Sequence, residues 1–237
     1  MAEESIQIQL SCSASGARFM DEAEAVHRRH IYRSPEMDHV DHPANPDLGG
    51  GEQMLDRMNL SHQYLRDFAL PKLKFREGMK ILDLGCGGGA TIADMRRYAP
   101  DAEIDGIDYS EISVAKAQRF NKEAVESGKT RIVRGDVAAL PMGDESYDLA
   151  TAVETVYFWP DMEKAFAEVK RVLRSGGVFA VIDEGSDPGR CDWPDPDGNL
   201  HVWRPEELMH FMKKAGFADV TVDHGEDQLI LVRGVKM

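Results

Sequence analysis

A glycine-rich turn in the first half of the chain carries residue types that can hold a nucleoside. Residues 81–84 are apolar except for Asp83, and they lead directly into the glycines of residues 85–89. The apolar residues predict a buried parallel strand, and glycines let the backbone turn sharply and approach a ligand that side chains would exclude. Because residues 90–98 then predict a helix, the pattern predicts a binding turn between a strand and a helix.

The order of the glycines does not by itself identify the ligand, because residues 85–90 also fit the dinucleotide fingerprint. A carboxylate at the position of Asp83 would repel a nearby pyrophosphate, whereas it suits an ammonium or a sulfonium group. In this acid followed by glycines, the chain resembles the class I S-adenosylmethionine-dependent methyltransferases, especially the ubiquinone/menaquinone-biosynthesis type. The resemblance implies S-adenosyl-L-methionine as the cofactor. It assigns to this turn the cofactor-binding residues Asp83, Gly85, Cys86, Gly87 and Gly89.

Two further predicted strands end close to acidic residues. The strand at residues 104–108 ends in Asp108, at the distance along the chain where ribose-binding acids usually lie. The strand at residues 131–134 is followed by Asp136. The resemblance implies that Asp108, beside Tyr109, holds the two ribose hydroxyls. It also implies that Asp136 binds the adenine amino group and that Val137 offers its backbone N–H and an apolar surface.

The remaining elements define the fold class. Residues 147–153 and 178–182 predict strands on either side of an amphipathic helix, and residues 205–215 predict a helix that proline opens and Gly216 closes. Two short strands within residues 220–232 are joined so closely that they must be antiparallel. We therefore predict an α/β fold with a Rossmann-like seven-stranded sheet, mostly parallel with a C-terminal antiparallel hairpin. A classical dinucleotide-binding fold would need a further parallel unit instead.

Two segments are predicted to cover the site. We divide the chain into residues 1–73, a tail and helical cap over the active site, and residues 74–237, the cofactor-binding domain. Within the first part, residues 21–32 predict a charged helix, residues 35–51 an irregular segment and residues 51–70 a helical region. In the resembling family such an extension usually closes the acceptor pocket. The long loop of residues 183–203 is a second candidate cover. Its aromatic residues, which either shape the acceptor pocket or pin the loop to the core, are Trp193, His201 and Trp203.

The reaction that the resemblance implies is direct displacement at the sulfonium methyl group by an acceptor atom. A general base is needed only if that acceptor must lose a proton. The candidate catalytic residues, which fall on the elements expected to border the pocket, are His62, Glu154, Tyr157 and His201. Glu154 has the alternative role of holding the cofactor's ammonium group, and Tyr157 that of core packing.

Composition limits the classes of partner. The chain has 237 residues, 42% hydrophobic, which suffices for one full core, and its three cysteines are too few for a disulfide framework. The formal net charge of −14 argues against nucleic acid, which usually needs a basic surface. The sequence shows neither an apolar run of membrane-spanning length nor a secretion leader, so we expect a cytoplasmic protein without a membrane partner. The expected partner is a small-molecule acceptor, and the oligomeric state stays open.

Three alternatives concern a metal and the reaction class. Asp38, His39, Asp41 and His42 form a dense group of potential ligands, but a proline-flanked loop gives them no fixed arrangement, so we predict no metal site. An NAD-dependent oxidoreductase would use the glycines and Asp108, although not the C-terminal hairpin. A non-catalytic protein that binds S-adenosylmethionine or a partner is compatible with the long N-terminal segment.

Overall fold

The computed structural model describes residues 42–43, 45–48, 50–191, 193, 195 and 198–237. All of them belong to one compact unit, Met37–Met237. The tail of residues 1–20, the helix predicted at residues 21–32, and the potential ligands Asp38, His39 and Asp41 lie outside the described residues.

A seven-stranded sheet with the order β3-β2-β1-β4-β5-β7-β6 forms the centre of this unit. The strands are β1 (Lys80–Leu84), β2 (Glu103–Asp108), β3 (Ile132–Arg134), β4 (Tyr147–Val153), β5 (Leu173–Asp183), β6 (Phe217–His224) and β7 (Ile230–Lys236). The first five strands are parallel, and β7 runs antiparallel to both β5 and β6. The predicted mostly parallel sheet with a terminal antiparallel hairpin is confirmed.

Helices cover both faces of the sheet. They are α1 (Gly51–Ser61), α2 (Gln63–Ala69), α3 (Ala90–Tyr98), α4 (Glu111–Phe120), α5 (Lys122–Glu126), α6 (Met162–Val172) and α7 (Pro205–Ala215), with 3-10 turns at Leu70–Lys72 and Val156–Phe158. The bounds of α3 and α7 agree with the prediction. Gly216 ends α7 in the left-handed conformation, with φ of 86°, which glycine adopts without steric cost. None of the helices in the described ranges is long and apolar enough to cross a membrane.

The alternation of side chains along β5 divides the core into two layers. Phe179 and Val181 point into a layer with α6 and α7, whereas Ala180 and Ile182 point into a layer with α2, α3 and α4. A strand buried on both faces reads as a continuous apolar run rather than as an alternating one. This explains why the sequence of β5 is apolar from Val178 to Ile182, before the strand ends at Asp183.

The sheet is longer than the sequence predicts at the start of β5 and of β6, and at the end of β7, which reaches Lys236. Strand β5 begins at Leu173 rather than at Val178, because Leu173 already pairs with Tyr147 before a register shift. Strand β6 begins at Phe217 rather than at Val220, and a second register shift follows Ala218. Both irregularities coincide with residues of positive φ, Gly176 and Asp219. Bulges of this kind let pairing continue past a local break in the pattern.

The helices before β1 share the core of the sheet. Leu65, Leu70 and Leu73 are buried in the same apolar layer as Ile81 of β1. The core therefore continues across the predicted boundary between residues 73 and 74, and the role of these helices as a cap stays a prediction.

Candidate active site

A cavity of about 780 Å³ opens at the carboxyl ends of β1, β2 and β4. The strand order reverses between β1 and β4, which is where open α/β sheets bind their ligands. The predicted site residues that line this cavity are Gly85, Cys86, Gly87, Asp108, Tyr109, Asp136, Val137, Glu154, His62, Tyr157 and His201. Asp83 and Gly89 are not part of the lining.

The glycine turn packs too tightly for side chains. Gly85 has φ of 65°, and a Cβ atom there would lie 2.8 Å from Cβ of Thr155. The amide side chain of Asn59 in α1 donates a hydrogen bond to the carbonyl of Gly88, at 3.2 Å. The turn is thus fixed from one side by the loop after β4 and from the other by α1.

Asp83 lies beneath the turn rather than in the cavity. Its Oδ1 accepts a hydrogen bond of 2.7 Å from the hydroxyl of Thr151, its neighbour in the register of β1 and β4. Burial raises the pKa of Asp83 to about 7. Gly89, the other residue outside the lining, has φ of 84° at the N-terminus of α3, and its carbonyl accepts a hydrogen bond from Asn121. The structure gives both residues a place in the support of the turn, away from the lining.

Asp108 ties the end of β2 to the glycine turn. One carboxylate oxygen accepts the N–H of Gly87 at 2.9 Å, and the other accepts the N–H of Ser110 at 3.0 Å. Burial raises the pKa of Asp108, and these two hydrogen bonds oppose the shift. The carboxylate therefore borders the cavity in a fixed orientation, with its remaining acceptor positions available to hydroxyl groups.

The cavity wall near Asp136 includes residues that the sequence analysis missed. Asp136 accepts the N–H of Ala138 at 2.8 Å, next to Arg134 in the cavity wall. Pro46 and Leu48 from the segment before α1 also line the cavity. Asp47 holds this segment in place, since its carboxylate accepts hydrogen bonds from the Ser110 hydroxyl and two backbone N–H groups at the start of α4. The sequence shows Asp47 beside Pro46, but it does not predict the role of this acid, because the hydrogen-bond partners lie more than sixty residues away.

The opposite end of the cavity is rich in buried acids. Glu154 follows β4 with φ of 55°, a conformation that is uncommon for residues other than glycine. Its Oε1 accepts hydrogen bonds from the Tyr157 hydroxyl at 3.0 Å and the Glu184 N–H at 2.5 Å. Burial, and then the nearby charges of Glu184 and Asp183, raise the pKa of Glu154 well above its usual value.

His62 joins this end from the link between α1 and α2. Burial, followed by the charge of Arg66, lowers the pKa of His62 to about 3, so the imidazole is neutral at physiological pH. One ligand atom of each of His62, Glu154 and Glu184 lies within 4.8 Å of the others. Glu184, which the sequence analysis missed, also accepts a hydrogen bond from the hydroxyl of Tyr64.

Aromatic residues fix the loop that follows β5. The hydroxyl of Tyr157 accepts a hydrogen bond of 3.0 Å from the N–H of Gly185. The rings of Tyr157 and Trp193 meet edge to face, with centroids 5.2 Å apart. Trp203 donates its indole N–H to the carbonyl of Val156, and its ring contacts that of His201 in a tilted arrangement. Trp193 and Trp203 thus hold the loop to the body of the protein, and His201 reaches the cavity wall.

Comparison with known proteins identifies the domain. Residues 82–181 match a family described as "Methyltransferase domain". Residues 82–181 are thus identified as a class I S-adenosylmethionine-dependent methyltransferase domain. This methyltransferase domain includes the glycine turn, most of β1, β2 to β4, α6 and most of β5. Its glycine turn and the segments after β2, β3 and β4 line the cavity, together with residues of α1 and α2 from outside the matched region.

Two similar proteins have named activities. A sterol 24-C-methyltransferase of Gibberella zeae is 29% identical over 176 residues, which are 70% of this chain and 45% of that protein. An O-methyltransferase of Pyrenophora dematioidea is 31% identical over 173 residues, which are 70% of this chain and 64% of that protein. The chain therefore spans about half to two thirds of the length of these relatives.

A solved structure agrees with the fold. A methyltransferase from Thermotoga maritima, described as a possible histamine N-methyltransferase, has a TM-score of 0.63 at 25% identity. The matched region covers 78% of this chain and 96% of that protein.

Proposed function

We propose that this methyltransferase transfers a methyl group from S-adenosylmethionine to a small-molecule acceptor held in the same cavity. The observation that carries the proposal is the arrangement of one continuous cavity, with Asp108 and Asp136 at one end and Glu154, Tyr157 and His62 at the other. Its volume falls within the range of about 300–1,000 Å³ typical of small-molecule sites. The named activities of the similar sterol and O-methyltransferases support a small acceptor.

The cofactor takes the end of the cavity formed by the glycine turn. The carboxylate of Asp108 binds the ribose hydroxyls, and Asp136 with the N–H of Val137 binds the adenine. Gly85, Cys86 and Gly87 lie against the amino-acid part, where a close backbone approach is required. This placement directs the sulfonium methyl group toward Glu154 and Tyr157.

The reaction is a single displacement. The acceptor atom forms a bond to the methyl carbon while the carbon–sulfur bond breaks. The electron pair of the broken bond stays on sulfur, and S-adenosylhomocysteine leaves. Because the positive charge of sulfonium disappears in this step, holding the reactants in line and excluding water contribute most to the rate. For an acceptor that must lose a proton, neutral His62 is the candidate base, and Glu154 can act only once it has lost the proton that its raised pKa favours. Tyr157 and His201 lie beside the acceptor.

Titration calorimetry with S-adenosylmethionine, S-adenosylhomocysteine and NAD tests the cofactor, on protein checked by mass spectrometry for carried-over ligand. We expect both sulfur nucleosides to bind and NAD not to bind. Methyl transfer to panels of phenols, amines, thiols and isoprenoids then tests the activity. Binding of NAD alone would contradict the proposal, and binding of S-adenosylmethionine without turnover on any panel would favour a non-catalytic binding protein.

We also propose a cytoplasmic location and a partner other than nucleic acid. Cys86 and Cys191 are both free thiols, as expected in a reducing compartment. The net charge of −14 supports a small-molecule acceptor over a polyanion. Fractionation of the source cells and a filter-binding assay with tRNA test these two points, and recovery outside the cytoplasm or tight tRNA binding would refute them.

A further inference from the structure

Three side chains from distant parts of the chain meet at the acid-rich end of the cavity. His62 comes from the link between α1 and α2, Glu154 from the end of β4, and Glu184 from the residue after β5. One nitrogen and two carboxylate oxygens of these residues lie within 4.8 Å of one another. We call these three residues the His-Glu-Glu cluster.

A further buried acid lies beside the cluster. Asp183, immediately before Glu184, has no solvent exposure, and neither of its carboxylate oxygens has a hydrogen-bond partner. The backbone N–H of Glu154 donates to the carbonyl of Ile182 at 3.0 Å. Among the ion pairs in the described part of the chain, none involves Glu154, Asp183 or Glu184. Buried carboxylates are ordinarily paired with a cation or bound to a metal.

The nearby arginine is occupied elsewhere. Nε of Arg66 donates to Asp94 at 2.7 Å, and Nη2 donates to the carbonyl of Asn59 at 2.6 Å and to the side chain of Gln63 at 3.1 Å. Its charge acts on His62, but its ion pair is with Asp94 and not with a carboxylate of the His-Glu-Glu cluster.

Neighbouring hydroxyls hold the carboxylates in position. Tyr64 donates to Glu184 and Tyr157 donates to Glu154, an arrangement that resembles the outer hydrogen bonds which orient carboxylate ligands in metal sites. The left-handed backbone at Glu154 adds to this, because such strain persists where the surrounding structure imposes it and is frequent at functional sites.

We propose that the His-Glu-Glu cluster binds one divalent transition-metal ion in the wall of the cavity, with Asp183 as a buried acid beside it. A donor set of one imidazole and two carboxylates suits Mn²⁺, Fe²⁺ or Zn²⁺ better than Mg²⁺ or Ca²⁺, which prefer oxygen alone. Around zinc the donors would draw together to roughly 3.3 Å from one another, given metal–ligand bonds of about 2.0–2.2 Å. Because His62 and Glu154 line the cavity, the open coordination positions would face the acceptor.

The geometry favours a bare ion over the cationic group of a larger molecule. Glu184 does not belong to the cavity lining, so an ammonium group attached to an acceptor would reach His62 and Glu154 but not the third donor. A single ion can enter the space between all three. This site goes beyond the proposed methyl transfer, and metal binding can be measured without cofactor or acceptor.

The test is calorimetry and electron paramagnetic resonance on the full chain, stripped with a chelator and titrated with Mn²⁺ alone. We expect one saturable site per chain, which Zn²⁺ displaces. Glu184→Gln and His62→Gln are each expected to weaken Mn²⁺ binding about tenfold or more, as loss of a ligand or its immediate support usually does. The matched control is His210→Gln, at an exposed histidine on α7, and this variant is expected to bind Mn²⁺ like the wild type.

Circular dichroism and S-adenosylmethionine titration of Glu184→Gln separate a lost metal site from a lost fold or a lost cofactor site. Retained cofactor binding with weakened Mn²⁺ binding supports the proposal. Failure of the wild type to bind Mn²⁺ at millimolar concentration, or equal binding by both ligand variants, overturns it. Binding of methylammonium at this cluster with no metal binding would assign it to a cationic acceptor and would also overturn it.

Discussion

Asp108 is a single residue with two roles: it orients the glycine turn, and it borders the proposed ribose site. We expect Asp108→Asn and Asp136→Ala each to weaken S-adenosylmethionine binding by about tenfold to a hundredfold, as a charged hydrogen bond contributes about 1.5–3 kcal/mol. Calorimetric titration measures the change, with exposed Asp101→Asn as a control that removes the same charge. Unchanged affinity in both variants would contradict the assignment of these residues to the cofactor.

Asp83 makes stability depend on pH. Its pKa is raised from 3.8 to about 7, chiefly by burial, with Arg66 opposing and Asp108 adding to the shift. The folded state therefore binds more protons than the unfolded state between these values, so its stability falls as the pH rises through this interval. The loss is of the order of 4 kcal/mol, at about 1.4 kcal/mol per pKa unit.

The variant Asp83→Asn keeps an oxygen that can accept the hydrogen bond of Thr151 and has no charge to bury. We expect it to be more stable than the wild type at pH 8 and to show a flatter stability profile between pH 4 and 8. Urea unfolding at several pH values measures both. A profile with the wild-type slope would show that Asp83 does not titrate as its burial implies.

Among the structural elements, the glycine turn is sensitive to any side chain at its first position. We expect Gly85→Ala to abolish measurable cofactor binding, because the new methyl group would overlap Thr155 at a position with φ of 65°. Gly128→Ala is the matched control. Gly128 has φ of 74° and open space around it, so only the strain of about 1 kcal/mol for a left-handed alanine is expected there. If both variants bound the cofactor equally, steric closeness at the turn would be unimportant.

The segment of residues 45–48 is held over the cavity by Asp47 at the N-terminus of α4. We expect Asp47→Ala to lower stability by about 1 kcal/mol, as loss of a helix-capping acid does, and to speed release of S-adenosylhomocysteine several-fold. Asp161→Ala removes the corresponding cap of α6, whose side chain accepts the N–H of Lys164, and should cost similar stability without affecting release. Stopped-flow dissociation compares the two; equal release rates would mean that the segment does not cover the ligand.

At the scale of the whole molecule, the helices before β1 are part of one cooperative core. Leu65 has no exposed surface, whereas Leu60 on the preceding helix is 75% exposed. We expect Leu65→Ala to lower the free energy of unfolding by about 2–5 kcal/mol in a single transition, and Leu60→Ala to change it little. Calorimetric unfolding measures this. A separate early transition in Leu65→Ala would show instead that residues 51–72 unfold independently of the sheet.

Local patterns in the sequence predict the sheet, α3, α7 and the glycine turn, because each depends on the spacing of apolar residues and glycines within one segment. Contacts between segments that are distant along the chain cannot be predicted from the spacing of residues within one segment. The sequence places Asp83 at the end of a strand, but only the register of β1 and β4 shows that Thr151 holds it away from the cavity. Glu184 likewise meets His62 across more than a hundred residues, and Asp47 meets α4 across more than sixty.

The tryptophans of the chain have a consequence for how ligand binding can be observed. There are three: Trp159 lines the cavity, Trp193 contacts the ring of Tyr157, and Trp203 contacts the ring of His201. The adenine end of the cavity instead has Tyr109, which is 45% exposed. The tryptophans thus lie toward the proposed acceptor end of the cavity, so we expect selectively excited tryptophan emission to respond to the acceptor more than to the nucleoside, without any attached label.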